Sequence, residues 1–403
     1  TELASALAGA GLPTVGTDRE VDILDPATIS AFAAGKDIRW LVNCAAYTAV
    51  DKAEDEEALA LRLNAEGPEN LARLATAIGA RLLHISTDYV FPGTADSPIP
   101  EDAPVAPQGA YGRTKAEGER RVMAAAPDSV ILRTAWLYGR HGPNFVYTML
   151  RLMKEREKIG VVADQHGTPT SASDLSAAIV HLVTKPELPA GIYHYTNAGA
   201  TTWYDFACEI HRLGRSIGLL EGDCTINPLS TAEYPTKAAR PAYSVLSKEK
   251  VQALGVQVPG WGESLAGFLG NMTKYLHDMK VLAHHAVYDL ETSKAMLASG
   301  RYLYVAFTCQ QAIEKNLKVI LYLNHTPMLI HNLARLASCS GMVFDNDDLV
   351  LLNMISGYYI KGQYQADVDE LGRIFTEEAA RKLFERGSAL CGKIRKHPIF
   401  SIL

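Results

Sequence analysis

The first part of the chain, up to about residue 270, alternates short apolar runs with stretches of helical periodicity. Three apolar runs, Trp40–Ala45, Arg81–Ser86 and Ser129–Arg133, have the length and composition of buried strands. The stretch Asn64–Ile78 has apolar residues at helical spacing, and Gly79 is its predicted C-terminal cap. Because neighbouring parallel strands need helical crossovers, this alternation predicts an α/β fold with a doubly wound parallel sheet.

The pattern changes after Asn271, where glycine and proline become rare and the periodicity is wholly helical. We predict five helices in an antiparallel all-α bundle. They are Lys274–Leu297, Tyr302–Leu323, a helix that begins within Asn332–Ala337, Asp347–Tyr359, and a last helix from the N-cap Thr376 to about His397. The sequence therefore predicts two domains, 1–271 and 272–403, and the join at Asn271–Met272 is a fusion point, natural or engineered.

The composition is that of an ordinary globular protein, with 48% hydrophobic and 21% charged residues among 403. No apolar run approaches the ~18 residues of a membrane span, and the N-terminus lacks a signal-peptide pattern. The six cysteines include no CxxC pair, which favours reduced thiols. A net charge of −6 argues against general affinity for nucleic acid. We therefore expect a cytoplasmic protein that has neither a membrane nor a nucleic acid as partner.

Tyr111 and Lys115 are the most informative pair of residues for chemistry. Residues four apart share one face of a helix, and an ammonium beside a phenol lowers the phenol pKa from its reference of about 10. Such a tyrosine donates a proton to a ketone oxygen as hydride reaches the carbonyl carbon. Ser86, Thr87 and Asp88 end a predicted strand, where ligands of parallel sheets bind. On its own, the pair equally fits an exposed helix start with a solvated lysine.

Eight sequence blocks follow one another in the order found in a known family. They are Asn43–Glu54, His84–Gly93, Arg133–Gly139, Asn144–Phe145, Asp164–Thr170, Gly191–His194 with Thr201–Ala207, Tyr234–Thr236 and Arg240–Pro241. Together they resemble the dTDP-4-dehydrorhamnose reductases, oxidoreductases of the extended short-chain dehydrogenase family with a Rossmann-like fold. The resemblance covers nearly all of residues 1–271.

The resemblance implies NAD(P)H-dependent reduction of the C4 ketone of dTDP-4-dehydro-6-deoxy-L-mannose to dTDP-L-rhamnose. The implied catalytic residues are Thr87, Tyr111 and Lys115, with Tyr111 as proton donor. The implied cofactor is NADPH or NADH, bound by Asp22, Ile23, Asn43, Ala45, Ala46, Tyr47 and Lys115. The expected contacts to the dTDP-sugar are Val50, Asp51, Ser86, Asp88, Trp136, Asn144 and Arg240. Core packing is the alternative for Trp136, and helix–sheet packing is the alternative for the two alanines.

The resembled family begins with a strand and a glycine-rich turn, whose glycines let the backbone approach the cofactor pyrophosphate. Here Thr1–Leu7 predicts the body of the helix that follows that turn, and Gly9 and Gly11 predict its C-terminal cap. The N-terminal threonine predicts a sequence that starts inside its gene. The alternatives are a reductase damaged by the loss of this turn, or a non-catalytic binding or regulatory subunit with the reductase fold.

The segment Gly300–Lys315 and the turn His331–Leu333 resemble HEPN domains. This implies a ribonuclease, or a nucleotide-binding or dimer-forming partner of a nucleotidyltransferase. A ribonuclease is disfavoured because Arg386 and His397 lie too far apart for an RxxxxH motif. A toxin-type protein with a vestigial reductase is a further alternative. Gln310, Gln311 and Lys315 either contact a nucleotide or form a solvated face. Both resemblances imply a homodimer, and no metal site is expected.

Overall fold

The computed structural model describes residues 2–18, 20–322, 330–364 and 376–403, the side chains of 359–364 excepted. The chain forms two compact units. The first comprises Thr1–Gly139, Arg156–Leu213 and Gly222–Gly267, and the second comprises Arg140–Glu155, Gly214–Glu221 and Phe268–Leu403. The domain boundary at Asn271–Met272 stays a prediction, and the helix Trp261–Thr273 runs through this point.

Short strands and helices alternate along the described chain up to Thr273. The strands are β1 (Trp40–Asn43), β2 (Arg81–Thr87), β3 (Val130–Thr134), β4 (Leu137–Tyr138), β5 (Lys158–Val162), β6 (His166–Gly167), β7 (Thr170–Ser171), β8 (Gly191–His194), β9 (Thr201–Thr202) and β10 (Thr225–Leu229). The helices are α1 (Glu2–Gly9), α2 (Pro26–Ala33), α3 (Val50–Ala53), α4 (Glu57–Leu61), α5 (Gly67–Ile78), α6 (Ala110–Ala125), α7 (Phe145–Glu155), α8 (Ala172–Thr184), α9 (Trp203–Ser216), α10 (Glu249–Gln252) and α11 (Trp261–Thr273).

A four-stranded parallel sheet in the order β1-β2-β3-β8 lies at the centre of the first unit. Side chains of successive residues point to opposite faces of the sheet, so each face has its own core. Leu83 and Leu132 pack with Ile179 and Leu182 of α8 on one face. On the other face Leu82 and Ile131 pack with residues of α5 and α6. The predicted doubly wound sheet and its three predicted strands are confirmed.

The predicted N-terminal helix is confirmed, but Gly9, one of the two glycines predicted to cap it, is its last helical residue. α1 packs against α8 and ends in a left-handed residue, Gly11, with φ of 70°. The N–H of Leu12 donates to the Leu7 carbonyl and that of Gly11 donates to the Ala8 carbonyl, which is the double bond of a glycine C-cap. In the described part of the sequence that precedes β1 there is no strand, and β1 pairs with β2 alone.

The helix predicted over Asn64–Ile78 is longer than expected and irregular. It starts at α4 and passes through a π-helical turn, Arg62–Glu66, into α5. In this turn the Gly67 N–H donates to the Arg62 carbonyl, and Pro68 follows it at the start of α5. Gly118 of α6 lies against the Asn64 carbonyl, at a distance where a Cβ atom would be 2.0 Å from the oxygen. The missing side chain of Gly118 therefore sets how closely α6 approaches.

The second unit contains the helices α12 (Leu276–Ala298), α13 (Tyr302–Tyr322), α14 (Leu333–Cys339), α15 (Asn346–Tyr364) and α16 (Glu377–Ile394). α13 is its central helix and contacts each of the other four. Val305 and Cys309 of α13 pack with Ala380 of α16 in a shared core. The predicted all-helical character of this region is confirmed, whereas Leu323, the predicted end of the second helix, lies outside the described residues.

The caps of these helices follow the sequence. Asn332 accepts the Arg335 N–H at 2.9 Å, and Thr376 accepts the Ala379 N–H at 3.3 Å. The last helix is shorter than predicted, because Pro398 disfavours helical backbone in the residue before it. His397 instead caps a short 3-10 turn, Pro398–Ser401. None of the helices that the structure describes has the length and apolar character needed to span a bilayer.

We expect Gly118→Ala to destabilise the protein by about 1–3 kcal/mol, because the new methyl group meets the backbone carbonyl of Asn64. Gly267→Ala is the matched control, since this helical glycine has no atom within 4 Å of an added Cβ. The control should be neutral or more stable by about 0.5–1 kcal/mol. Urea unfolding curves measure both changes, and equal stability of the two variants would contradict the close-approach argument.

Candidate active site

The loop after β1 is held by two buried asparagines. The Asn43 side-chain oxygen accepts the Ala45 N–H at 2.9 Å. Asn64 accepts the Tyr47 N–H at 2.8 Å and donates to the Tyr47 carbonyl at 3.2 Å. The loop therefore has a fixed backbone path at the carboxyl end of a central strand. It contains three of the residues predicted to bind the cofactor, namely Ala45, Ala46 and Tyr47, and it follows a fourth, Asn43.

Lys115 of α6 reaches β2, the strand that pairs with β1. Its side chain is buried, and its Nζ donates to the Ile85 carbonyl at 2.6 Å. The Nε2 of His84 lies 3.5 Å from this ammonium, and the Nδ1 of His84 lies 3.0 Å from Asn43 Nδ2. Burial lowers the pKa of Lys115 to about 8 and holds the pKa of His84 well below its usual value. A neutral histidine thus links the predicted cofactor residues Asn43 and Lys115.

Tyr111 stands one turn earlier on α6, at a helix start that is fixed from two sides. Glu54 Oε1 accepts the Ala110 N–H at 2.8 Å. Gly112 lies so close to the Tyr89 carbonyl that a Cβ atom would be 2.2 Å from its oxygen. The Tyr111 ring packs edge-on against the Tyr89 ring, with centroids 5.5 Å apart. These contacts direct Tyr111 to the end of β2.

At the end of β2 the Tyr111 phenol lies beside the Thr87 hydroxyl. Thr87 is buried, donates to Asp88 Oδ1 at 2.9 Å and accepts the Tyr89 N–H at 3.2 Å. Two of the three predicted catalytic residues are therefore neighbours at the end of β2. The third, Lys115, lies on the next turn of the same helix.

The expectation that Lys115 lowers the pKa of Tyr111 is wrong in this structure. Burial raises the pKa of Tyr111 above its usual value, and the negative charge of Asp88 raises it further. The physical reason is that the Lys115 ammonium is engaged by the Ile85 carbonyl and by His84, so it does not offset the desolvation of the phenol.

A charged pair lies beside the two tyrosines. Arg240 Nη2 is 2.6 Å from Asp51 Oδ2, and its Nη1 donates to the Tyr89 hydroxyl at 3.5 Å. Asp51 belongs to α3, which starts at Val50, and its second oxygen accepts the Ala238 N–H at 3.0 Å. Two of the predicted substrate residues thus form an ion pair next to Tyr89, whose ring packs against the predicted proton donor.

The remaining predicted residues lie in other surroundings. Trp136 has a left-handed φ of 48°, and its ring stacks on Trp203 with centroids 3.5 Å apart. Gly167 lies so close to the Trp136 ring that a Cβ atom would be 2.5 Å from it. Packing therefore occupies the Trp136 ring, while a contact with substrate stays a prediction. Asn144 belongs to the second unit, where its Oδ1 accepts the Tyr147 N–H at 3.2 Å.

Asp22 and Ile23 precede α2 in the first unit. Asp22 Oδ1 accepts the Leu24 N–H at 2.9 Å, which makes a turn. Ile23 packs against Gly67 at the start of α5, where a Cβ atom would be 2.5 Å from the Ile23 side chain. The structure gives both residues a local structural role, and their contact with a cofactor stays a prediction.

Sequence reasoning missed His84, Glu54 and Asn64 as site residues. A histidine inside the apolar run Arg81–Ser86 was the available signal for His84, because buried imidazoles need polar partners. Asn64 gave a weaker signal as a polar residue before a helical proline.

In the second unit, buried Gln310 donates to Glu314 Oε2 at 2.7 Å and Lys315 pairs with Asp289, so the predicted nucleotide contacts are engaged internally. Across the described ranges no cluster of histidine, cysteine or acidic residues could hold a metal ion.

Two models of known protein families match this chain. Residues 1–274 match the model of the RmlD substrate binding domain, and residues 279–397 match that of the HEPN domain. The chain is 44% identical over 253 residues to a dTDP-4-dehydrorhamnose reductase of Streptomyces griseus, covering 62% of this chain and 81% of the relative. It is 46% identical over 238 residues to a probable dTDP-4,6-dihydroxy-2-methyloxan-3-one 4-ketoreductase of Streptomyces antibioticus, covering 59% and 78%.

A solved dTDP-4-dehydrorhamnose reductase of Bacillus anthracis, in complex with NADP, aligns with a TM-score of 0.62 and 37% identity. The alignment covers 66% of this chain and 93% of that structure. The match to the first family model spans more than half of the chain and includes every predicted catalytic residue. On these grounds the chain belongs to the RmlD substrate-binding-domain family, whose relatives in Streptomyces griseus and Bacillus anthracis are dTDP-4-dehydrorhamnose reductases.

Proposed function

We propose that this chain reduces the C4 ketone of a dTDP-linked hexose with NADPH or NADH, and that Tyr111 donates the proton. The observation that carries the proposal is the position of Tyr111 beside Thr87 at the carboxyl edge of a parallel sheet, with Lys115 one turn away. This edge is where parallel α/β sheets bind their ligands. The preferred substrate is dTDP-4-dehydro-6-deoxy-L-mannose, which the name of the Streptomyces griseus relative supports.

The residues after β1 fit the nicotinamide-ribose end of such a cofactor. Ala45 and Ala46 have small side chains on a fixed loop, and the Lys115 ammonium is a hydrogen-bond donor beside the neighbouring strand β2. When bound, the nicotinamide supplies the hydride for the C4 carbon. Asn43 and Tyr47 would line its other side. The NADP in the Bacillus anthracis structure supports this assignment.

The remaining steps belong to side chains of this chain. Thr87 holds the ketone oxygen, and Tyr111 gives that oxygen its phenolic proton as the carbon is reduced. Arg240 presents a planar fork that suits the phosphate oxygens of a nucleotide-sugar. Its pairing with Asp51 fixes the direction of that fork.

We also propose that the helical residues 272–403 form a HEPN-like domain with a nucleotidyltransferase partner, and that the chain is a homodimer.

Tyr111→Phe should lower kcat by a factor of about 10²–10⁴, because the variant keeps the ring but has no proton to give. NADPH oxidation in the presence of the dTDP-linked 4-keto sugar measures the effect. Tyr288→Phe is the matched control, since Tyr288 is 65% exposed in the second unit. Turnover by Tyr111→Phe at the rate of the control would refute the assigned proton donor.

Arg240→Lys should raise the KM for the dTDP-sugar roughly 10-fold with a smaller effect on kcat, because lysine keeps the charge but lacks the bidentate fork. Arg113→Lys is the control, since Arg113 makes a similar two-pronged contact with Glu57 on an exposed helix face. Initial rates over a range of sugar concentrations separate the two constants. An unchanged KM in Arg240→Lys would argue against substrate binding by Arg240.

A further inference from the structure

The single proton of the Thr87 hydroxyl has a defined place in this structure. It lies in the 2.9 Å bond that Thr87 donates to Asp88 Oδ1. The same oxygen accepts the Tyr89 N–H at 3.2 Å. A hydroxyl has one donor position, so a Thr87 that donates to a carboxylate can only accept from any other group. In this state it cannot donate to the oxygen of a ketone.

We propose that Asp88 is a positioning residue that sets the direction of the Thr87 hydrogen bonds. As a carboxylate, Asp88 takes the Thr87 proton. As a neutral acid, Asp88 donates its own proton to the Thr87 oxygen, and the Thr87 hydroxyl then donates to the ketone oxygen beside Tyr111. The inference rests on the proposed reductase function and adds a residue that acts through Thr87 without itself touching the reacting atoms.

The surroundings of Asp88 favour a change of protonation. Asp88 is 2% exposed, and burial raises its pKa to about 6 against the opposing effect of its hydrogen bonds. Its Oδ2 has no partner at hydrogen-bonding geometry among the residues that the structure describes. The buried hydroxyl of Ser244 lies beside the carboxyl group. A neutral carboxyl is therefore compatible with this pocket.

The two tyrosines beside Asp88 stay neutral over the same pH range. Tyr111 faces it from α6 and Tyr89 follows it in the chain. Burial raises the pKa of Tyr89 to about 12, and burial also raises that of Tyr111, so both stay neutral. Arg240 and Asp51 form an ion pair on the far side of Tyr89. Thr87 and Ser244 do not titrate in water at these pH values.

The direction of the pH effect follows from the charge that develops on the substrate. The ketone oxygen gains negative charge during hydride transfer. A hydrogen-bond donor at that position therefore stabilises the transition state more than an acceptor does. Asp88 is neutral below a pH of about 6 and ionised above it. We expect kcat/KM for ketone reduction to rise roughly 10-fold as the pH falls through this value, as for the gain of one hydrogen bond.

The test is the pH profile of kcat/KM for the full chain, with NADPH and the dTDP-linked 4-keto sugar. The wild-type profile should have an inflection near pH 6. The Asp88→Asn profile should lack this inflection because an amide does not titrate. The Thr87→Val profile should lack it because Asp88 then has no hydroxyl to direct. Asp96→Asn, an exposed carboxylate in the following loop, should keep it. Persistence of the inflection in either of the first two variants would overturn the inference.

An infrared titration of the buried carboxyl group gives a readout that needs no turnover. The carboxyl band should titrate near pH 6 in the wild type and be absent in Asp88→Asn. In Thr87→Val its pKa should be higher, because the Thr87 bond favours the ionised form. An unchanged pKa in Thr87→Val would disprove the coupling even if the protein were no reductase. If the wild type does not reduce the sugar but its carboxyl band titrates near pH 6, the reductase function alone is refuted.

Discussion

The site depends on how closely α6 approaches two backbone carbonyls. Gly112 lies on the Tyr89 carbonyl and Gly118 on the Asn64 carbonyl, both at distances that exclude a Cβ atom. The first contact places Tyr111 beside Thr87. The second places Lys115 within reach of the Ile85 carbonyl of β2. A side chain at either position would move the helix away from the sheet edge by steric repulsion alone. Two glycines that take no part in any chemistry thus determine where the chemical groups lie.

Much of this architecture could be predicted from the sequence. The apolar runs predicted three of the four central strands, because a strand buried on both faces must be apolar throughout. Glycine caps at Gly11 and Gly79 fixed helix ends, since few other residues adopt left-handed backbone. The π turn was missed, because the apolar spacing of this segment is that of a regular α-helix. His84 was missed because its partners lie 31 and 41 residues away.

Burial explains why spacing alone gave the wrong ionisation for Tyr111. The distance between Tyr111 and Lys115 along the helix was correct, and the expected electrostatic effect would hold on an exposed surface. In the folded protein both groups leave water, which disfavours the phenolate and the ammonium alike. The Lys115 ammonium is stabilised by a carbonyl instead of by a phenolate. Desolvation therefore outweighs the pairwise attraction here.

The π turn has a consequence for the rotational phase of the helix that contains it. Each residue of an α-helix advances the side-chain direction by about 100°, and a π turn holds one residue more than an α turn. The segment Arg62–Glu66 therefore rotates α5 relative to α4, so that Ala72 and Ala75 face the sheet. Closing the turn into regular helix would rotate these small residues away and turn their polar neighbours towards Leu82. The irregular turn thus sets which face of α5 belongs to the core.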